Sequence, residues 1–326
     1  MNISDIAKLA CVSPAAVSRY LNDGYLSQEK KTRIAQVIQE TGYKPSQSAK
    51  ILRTGKTGLI GVIIPKIDSD SISQVVAGIS EVLSRQGYQL LLANTENDSQ
   101  KELEYLSTFQ EHKVEGIIHL ATLNSQKHIK AFQELSIPSV VLGQKATGQS
   151  CIYHDDYHAA YDLTSHVINK GHKNIGFIGV TEKDIAVGKM RKKGFLDAMN
   201  AAGLPVPEDI LYTGSFYMDN GYENTPKLLK SHKNADAIIC ATDTIALGTI
   251  KYLNEHHISI PDEIAVAGFG ENKASSVLSP TLTTVHFFYK ECGIEGAKLL
   301  LNQIENQSSP NKSVLLGYEI RTNQSV

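Results

Sequence analysis

Arg19 has a planar guanidinium that can grip guanine O6 and N7 with paired donors, or clamp a phosphate. It stands in the run Ser13-Pro14-Ala15-Ala16-Val17-Ser18-Arg19-Tyr20-Leu21-Asn22, close behind Ile3-Ser4-Asp5-Ile6-Ala7-Lys8-Leu9-Ala10 and a turn at Cys11-Val12. Ser13 is a good N-cap, and Pro14 falls at the first helical position, where a missing N–H costs nothing. Ile6, Leu9, Val17 and Leu21 recur at helical spacing and are expected on the inner faces. Two short amphipathic helices joined by so tight a turn must cross steeply, which leaves one face of the second free to enter a DNA groove. A third helix is expected from about Glu29 to Thr41, with Ile34, Val37 and Ile38 inward and Gly42 as its stop. Residues 1–57 carry nine Lys/Arg against four Asp/Glu, whereas the remainder carries 23 against 30. A basic head on an acidic body supplies the phosphate-neutralising part of DNA affinity.

The 326 residues suffice for a small head and a two-lobed body. With 41% hydrophobic and 20% charged residues, and with neither a membrane-length apolar run nor a signal-peptide core, the chain reads as a cytoplasmic globular protein. Cys11, Cys151, Cys240 and Cys292 lack metal-ligand spacing and read as reduced thiols, so neither metal nor cofactor is expected. There is no G-x-G-x-x-G after the first strand, no P-loop and no G-x-S-x-G elbow. His119, His154, His158 and His286 lack a paired nucleophile and read as structural. No catalytic residue is expected, and the chain is not read as an enzyme.

From Gly58 onward near-continuous apolar strands alternate with helices. Strands are expected at 59–65, 89–94, 116–120 and 139–142, with helices near 73–86 and 101–111. After Asp155-Asp156 the rhythm restarts, with helices at 159–170, around 189–202 and from Asp243, and strands at 174–179, 237–241 and 264–269. Such runs mean parallel sheets covered on both faces, hence two doubly wound lobes with a ligand cleft beyond the carboxyl ends of the strands.

The motifs are specific in combination. Ile6-Ala7, Val12-Ser13, Val17-Ser18-Arg19 and Leu21-Asn22 precede Gly42-Tyr43-Lys44-Pro45, Ala49 and Leu52. Gly61-Val62-Ile63, Gly171-His172-Lys173-Asn174-Ile175, Arg191-Lys192-Lys193-Gly194-Phe195, Ala246-Leu247-Gly248 and Pro280–Val285 follow in order. In this set the chain resembles the LacI/GalR family of transcriptional repressors from Asn2 to about Thr322. The resemblance implies an α+β multidomain chain: a helix-turn-helix head at 1–45, a hinge helix and linker at 46–57, and two doubly wound α/β lobes like those of periplasmic sugar-binding proteins. The first lobe is expected at 58–156 plus 286–310 and the second at 157–285 plus 311–326. Crossings are placed near Asp155–Tyr157, Val285–His286 and Ser308–Lys312, with Val314–Ile320 as a strand of the second lobe.

The resemblance also assigns roles. Pro14, Ala15 and Arg19 face base edges, Ala15 and Ala16 offer only apolar contact, and Ser4, Ser13, Ser18, Asn22 and Tyr25 position the backbone. In the hinge segment Ser46–Arg53, Ala49, Leu52 and Arg53 belong to the DNA surface. Leu52 either wedges into the minor groove or packs on the core. Cys11 departs from the glycine usual at the turn and carries strain on the order of 1 kcal/mol if φ is positive there. A minor-groove wedge needs a homodimer on a near-palindromic operator. No heptad tail suggests a coiled-coil tetramer.

The expected effector set is Ser69, Asp70, Ser71, Arg191 and Phe216, with Asp243 as ligand or N-cap, Asp155 and Asp156 as pocket or crossing residues, and Glu271 following Gly270 where some sugar-responsive members carry an acid. Two regulatory readings stay open. One is release of DNA by a small effector, a sugar. The other is co-repression by a purine or a phosphocarrier protein.

Overall fold

The computed structural model describes residues 1–22, 24–43, 56–122, 125–306 and 308–326, and the chain divides into two compact units, Met1–Gly58 and Leu59–Val326. In the first, α1 (Ile3–Leu9), α2 (Pro14–Tyr20) and α3 (Gln28–Thr41) bury Ile6, Ala7, Ala10, Val17 and Ile34 in a small core. Asn2 caps α1 by accepting from the N–H groups of Ser4 and Asp5, while Asp5 accepts in return from the Asn2 N–H at 2.9 Å. Ser13 Oγ accepts from Ala16 N–H at 3.3 Å, and Gly42 closes α3 with φ of 60°. Val37, Ile38 and Leu21 pack against the core as expected. Leu9 does not; it is 57% exposed because the turn takes the chain away one residue later.

That turn is a Schellman closure. Val12 N–H reaches the Ala7 carbonyl and Cys11 N–H the Lys8 carbonyl, which puts Cys11 at φ 51°. The conditional expectation of strain at Cys11 therefore holds.

The second unit winds as β1 (Leu59–Ile64), α4 (Asp70–Arg85), β2 (Gln89–Asn94), α5 (Ser99–Glu111), β3 (Gly116–Leu120), α6 (Gln126–Glu134), β4 (Ser139–Leu142) and β5 (Ser150–His154). It continues with α7 (Asp156–Asn169), β6 (Ile175–Val180), a π-helical turn (Ile185–Met190), α8 (Arg191–Ala201), β7 (Leu211–Gly214), α9 (Met218–Ser231), β8 (Ala237–Cys240), α10 (Asp243–Glu255), β9 (Ala265–Phe269) and β10 (Thr283–Phe287). It then returns through α11 (Tyr289–Glu305), β11 (Ser313–Leu316) and β12 (Tyr318–Arg321). One sheet has the order β11-β5-β4-β3-β1-β2 and is parallel throughout. The other, β12-β10-β9-β8-β6-β7, is parallel except for the pair β10–β12.

β5, β7, α6 and α9 are not among the expected elements. β5 (SCIYH) and β7 (LYTG) lack a continuous apolar run, and α9 carries Gly221, three asparagine or aspartate residues and Pro226 within it. Two expected crossings also move. Thr283–Phe287 pairs with β9, so the chain leaves the second sheet at Phe288 rather than at Val285–His286. Val314–Ile320 is not one strand of the second lobe: Gly317 divides it, β11 pairing with β5 and β12 with β10. The lobes are thus 59–154 plus 289–316 and 156–287 plus 318–326, with single-residue passages at Asp155, Phe288 and Gly317.

Within each lobe two helices meet through glycines. A Cβ on Gly293 of α11 would lie 2.0 Å from the Val75 carbonyl on α4, and one on Gly248 of α10 would lie 1.9 Å from the Met218 carbonyl on α9. Only residues without a Cβ allow these helices to sit so close to each other.

Candidate functional site

On the head, Ser13, Pro14, Ala15, Arg19 and Asn22 form an exposed surface on and around α2, with Ser4 exposed on α1 and Tyr25 94% exposed beyond α2. Ser18 is half-buried, and the Asn22 side-chain amide donates to its carbonyl, which fixes the end of the helix. Ala16 is a correction: at 4% exposure it faces the head core, because α2 turns its 16/17 side toward α1 and α3. Ala49, Leu52 and Arg53, with the expected hinge helix, lie outside the described residues.

In the body, the loops that follow β1, β3 and β4, and the end of β5, face those that follow β6, β7 and β8 across a cavity of about 150 Å3. This is where open parallel sheets bind ligands, beyond the carboxyl ends of their strands. The first lobe brings Lys66, Ser71, Ala121, Leu142, Gly143 and Gln144. The second brings Asp156, Asp184, Val187, Arg191, Phe216 and Thr242. An adjoining pocket of about 60 Å3 adds Asp70, Asp243, Phe269 and Asn272.

The comparisons with known proteins match both units. Residues 2–46 fit the model for bacterial regulatory proteins of the lacI family, and residues 57–318 fit that for periplasmic binding proteins and the sugar-binding domain of the LacI family. The chain belongs to the LacI family. It is 35% identical over 306 residues to the sucrose operon repressor of Staphylococcus xylosus, covering 94% of each chain. It is 33% identical over 307 residues to the PurR repressor of Actinobacillus pleuropneumoniae, covering 93% of this chain and 91% of that one. A lac repressor dimer bound to operator and the anti-inducer ONPF shares the fold with a TM-score of 0.92 at 20% identity, covering 100% of this chain and 98% of that one. As a LacI-family member the chain is a DNA-binding transcriptional repressor and not an enzyme. No helix among the described residues is long and apolar enough to cross a membrane.

In this LacI-family cleft the guanidinium of Arg191 is 4% exposed and held on several sides. Nε and Nη2 each donate to Asp156 Oδ1 at 2.7 Å, and Nη1 donates to the Ala241 carbonyl at 2.7 Å. The rings of Phe269 and Phe287 cover its faces at 4.9 and 4.8 Å. Burial works against its charge, but Asp156 more than compensates and keeps it protonated. Burial also pushes the Tyr289 phenol beside it up to about 12.

The remaining expected effector residues divide. Ser71, Phe216 and Asp70 line the cleft, and Ser69 supports it, its hydroxyl lying 3.1 Å from that of Ser71. Asp243 lines the smaller pocket, but its carboxylate already accepts from Thr284 Oγ1 at 2.6 Å, Asn272 N–H at 2.9 Å and Ser275 Oγ at 3.2 Å. The N-cap of α10 is Thr242 rather than Asp243. Burial raises the Asp243 carboxyl to about 6 in spite of those donors. Asp155 caps α7 and pairs with His158 at 2.8 Å, away from the cavity lining. Glu271 pairs with His286 and Arg321 and does not line either pocket.

Asp184 and Gln144 are cleft residues that the sequence motifs do not single out, and His154, read from the sequence as structural, lines the cleft as well. Asp184, 4% exposed, caps the π-helical turn by accepting from Val187 N–H at 2.9 Å and accepts across the cleft from Gln144 Nε2 at 3.4 Å. Gln144 also donates to the Thr122 carbonyl. Burial, with Asp156 nearby, pushes the Asp184 carboxyl up to about 7. A signal for these residues exists in hindsight: each stands at or just past a strand's carboxyl end.

Proposed function

We propose that this LacI-family repressor binds a near-palindromic operator as a homodimer in the cytoplasm, and that a sugar in the cleft between the lobes controls its grip. The observation that carries the reading is the cleft itself. It joins polar groups of both lobes, Gln144 to Asp184, around one cavity, so that a ligand there touches both halves and biases their relative position. Its few buried polar groups, Gln144, Asp184 and Arg191, set in a largely apolar wall with the half-buried ring of Phe216, suit a ligand with several hydroxyls. A cavity of about 150 Å3 holds several water-sized sites, which is room for a small polar ligand. The likeness to the sucrose operon repressor supports a sugar over other effectors. On DNA, Arg19 is the specific reader, and Leu52 is proposed as the central wedge. A coupling of about 1–3 kcal/mol between effector and operator is the ordinary size for such control.

A second reading, co-repression by a purine, draws on the likeness to PurR; a phosphocarrier protein is a third partner within the same family logic. Fluorescence anisotropy on a palindromic operator with a central CG step, titrated with sugars, sugar phosphates and purines, separates them. Release by a free sugar is expected. Tightening by a purine overturns the sugar reading, and tightening by a phosphocarrier protein replaces it with the third. In the same assay Arg19→Ala and Leu52→Ala both lose operator affinity, but only Arg19→Ala relaxes base preference.

A further inference from the structure

The charged side chains around the cleft are unevenly committed. The cations are Lys66 and Arg191; the acids are Asp70, Asp156, Asp184 and Asp243. Arg191 is spent on Asp156 and the Ala241 carbonyl. Lys66 stacks 4.6 Å over the ring of Tyr217, and burial lowers its affinity for a proton against the pull of Asp68. Among the described residues no lysine or arginine lies within ion-pair distance of Asp184, whose donors are the backbone N–H groups of Val187 and Ala186 and the neutral amide of Gln144. Burial, with Asp156 nearby, raises its carboxyl to about 7 in spite of these donors, none of which carries a charge.

His154 makes the same statement independently. It ends β5 in the cavity wall, 8% exposed, wedged against the rings of Phe287 at 5.1 Å and Tyr289 at 5.3 Å. Its ring bonds the backbone of Phe288, and burial keeps it neutral. Nε2 is then a bare acceptor, and it has no partner. An unpaired buried acceptor costs free energy until a donor arrives.

We propose that Asp184 and His154 make the cleft selective for uncharged, hydroxyl-donating sugars, with Asp184 as the residue that turns away their phosphorylated forms. This rests on the reading of the cleft as the effector site. A sugar hydroxyl donates to either acceptor. A phosphate dianion has no proton to offer His154 Nε2 or the ionised form of Asp184, and its charge opposes that ionisation. It also enters a cavity whose acids outnumber its cations, both of which are already engaged.

The test is isothermal titration of the full-length protein with glucose, fructose and sucrose, their 6-phosphates and inorganic phosphate. Wild type is expected to bind a neutral sugar and to bind its phosphate at least about tenfold more weakly. Asp184→Asn is expected to weaken the neutral sugar and to narrow that ratio by about tenfold, which a variant that merely loosened the fold would not do. A 6-phosphate or inorganic phosphate binding wild type more tightly than the neutral sugars overturns the proposal, as does an unchanged ratio in Asp184→Asn. If no probe binds either protein, the sugar-effector reading falls and this proposal with it; if a sugar binds but Arg191→Lys leaves it untouched, the site lies elsewhere.

Discussion

In the first lobe the buried carboxylate of Glu102 lies 2.9 Å from His128 Nε2 and 3.3 Å from His119 Nε2, with the Thr122 hydroxyl at 3.4 Å. In the second lobe Asp184 is equally hidden and has no ring nitrogen or ammonium at such range among the described residues. Burial pushes both carboxyls up. For Glu102 the two imidazoles more than reverse it and bring it down to about 2, whereas Asp184 stays near 7. The two lobes share a winding order, yet one encloses a carboxylate that is content to be charged and the other holds one that is not. The first lines neither pocket. The second faces the cavity, where the state of a carboxyl and the occupant of the cavity can influence one another.

The largest effect is expected where the second lobe's charges do meet. Arg191→Met leaves Asp156 buried without its cation and should cost about 3–5 kcal/mol in urea unfolding. A loss below about 1 kcal/mol would mean that Asp156 is not dependent on it. The two carboxylates should then give opposite pH profiles. Glu102 has a folded pKa below its unfolded one, so its stabilisation is full above about pH 4.5 and is lost as pH falls toward 2. Glu102→Gln should accordingly lose about 2–3 kcal/mol at pH 7. Asp184 has a folded pKa above its unfolded one, so the native state loses stability as pH rises from about 4 to 7 and then levels off. Asp184→Asn should gain on the order of 2 kcal/mol over wild type at pH 8 and little at pH 4, by denaturation at both pH values. Profiles of the same sign in both variants would dissolve the contrast.

Geometry, unlike charge, should treat the lobes alike. Gly293→Ala in the first and Gly248→Ala in the second each force a helix from a carbonyl about 2 Å away, and each should lower stability by about 1–3 kcal/mol in thermal melts. The smallest change lies in the head, where Cys11→Gly relieves the positive φ and should raise stability by about 0.5–1 kcal/mol without altering operator preference.

Much of this architecture is legible in residue order. Ser13-Pro14 marks the start of α2 because capping is local chemistry, and the apolar runs mark β1, β3, β4, β8 and β9 because strands buried on both faces must be apolar throughout. β5 and β7 escape because their burial depends on neighbours rather than on their own hydrophobicity. The family resemblance reaches Arg191, Phe216 and Ser71, which do line the cavity. At Asp155 the crossing alternative is the one the structure bears out, and the resemblance misleads at Glu271, whose partners His286 and Arg321 are visible only in three dimensions. Asp184, His154 and Gln144 stand at or just past strand ends that lie far apart in sequence, and only the winding of the two sheets brings them to one cavity.

The three one-residue passages, at Asp155, Phe288 and Gly317, have a mechanical meaning. All follow strands at one margin of the sheets, β5 beside β11 and β10 beside β12, and the Asp155 N–H is tied to the Leu316 carbonyl at 3.1 Å. Three parallel tethers with no slack suppress sliding and separation and leave pivoting as the soft degree of freedom. Whatever the cavity holds is therefore reported as an angle, and an extra residue inserted after Gly317 should blur that angle while sparing both cores.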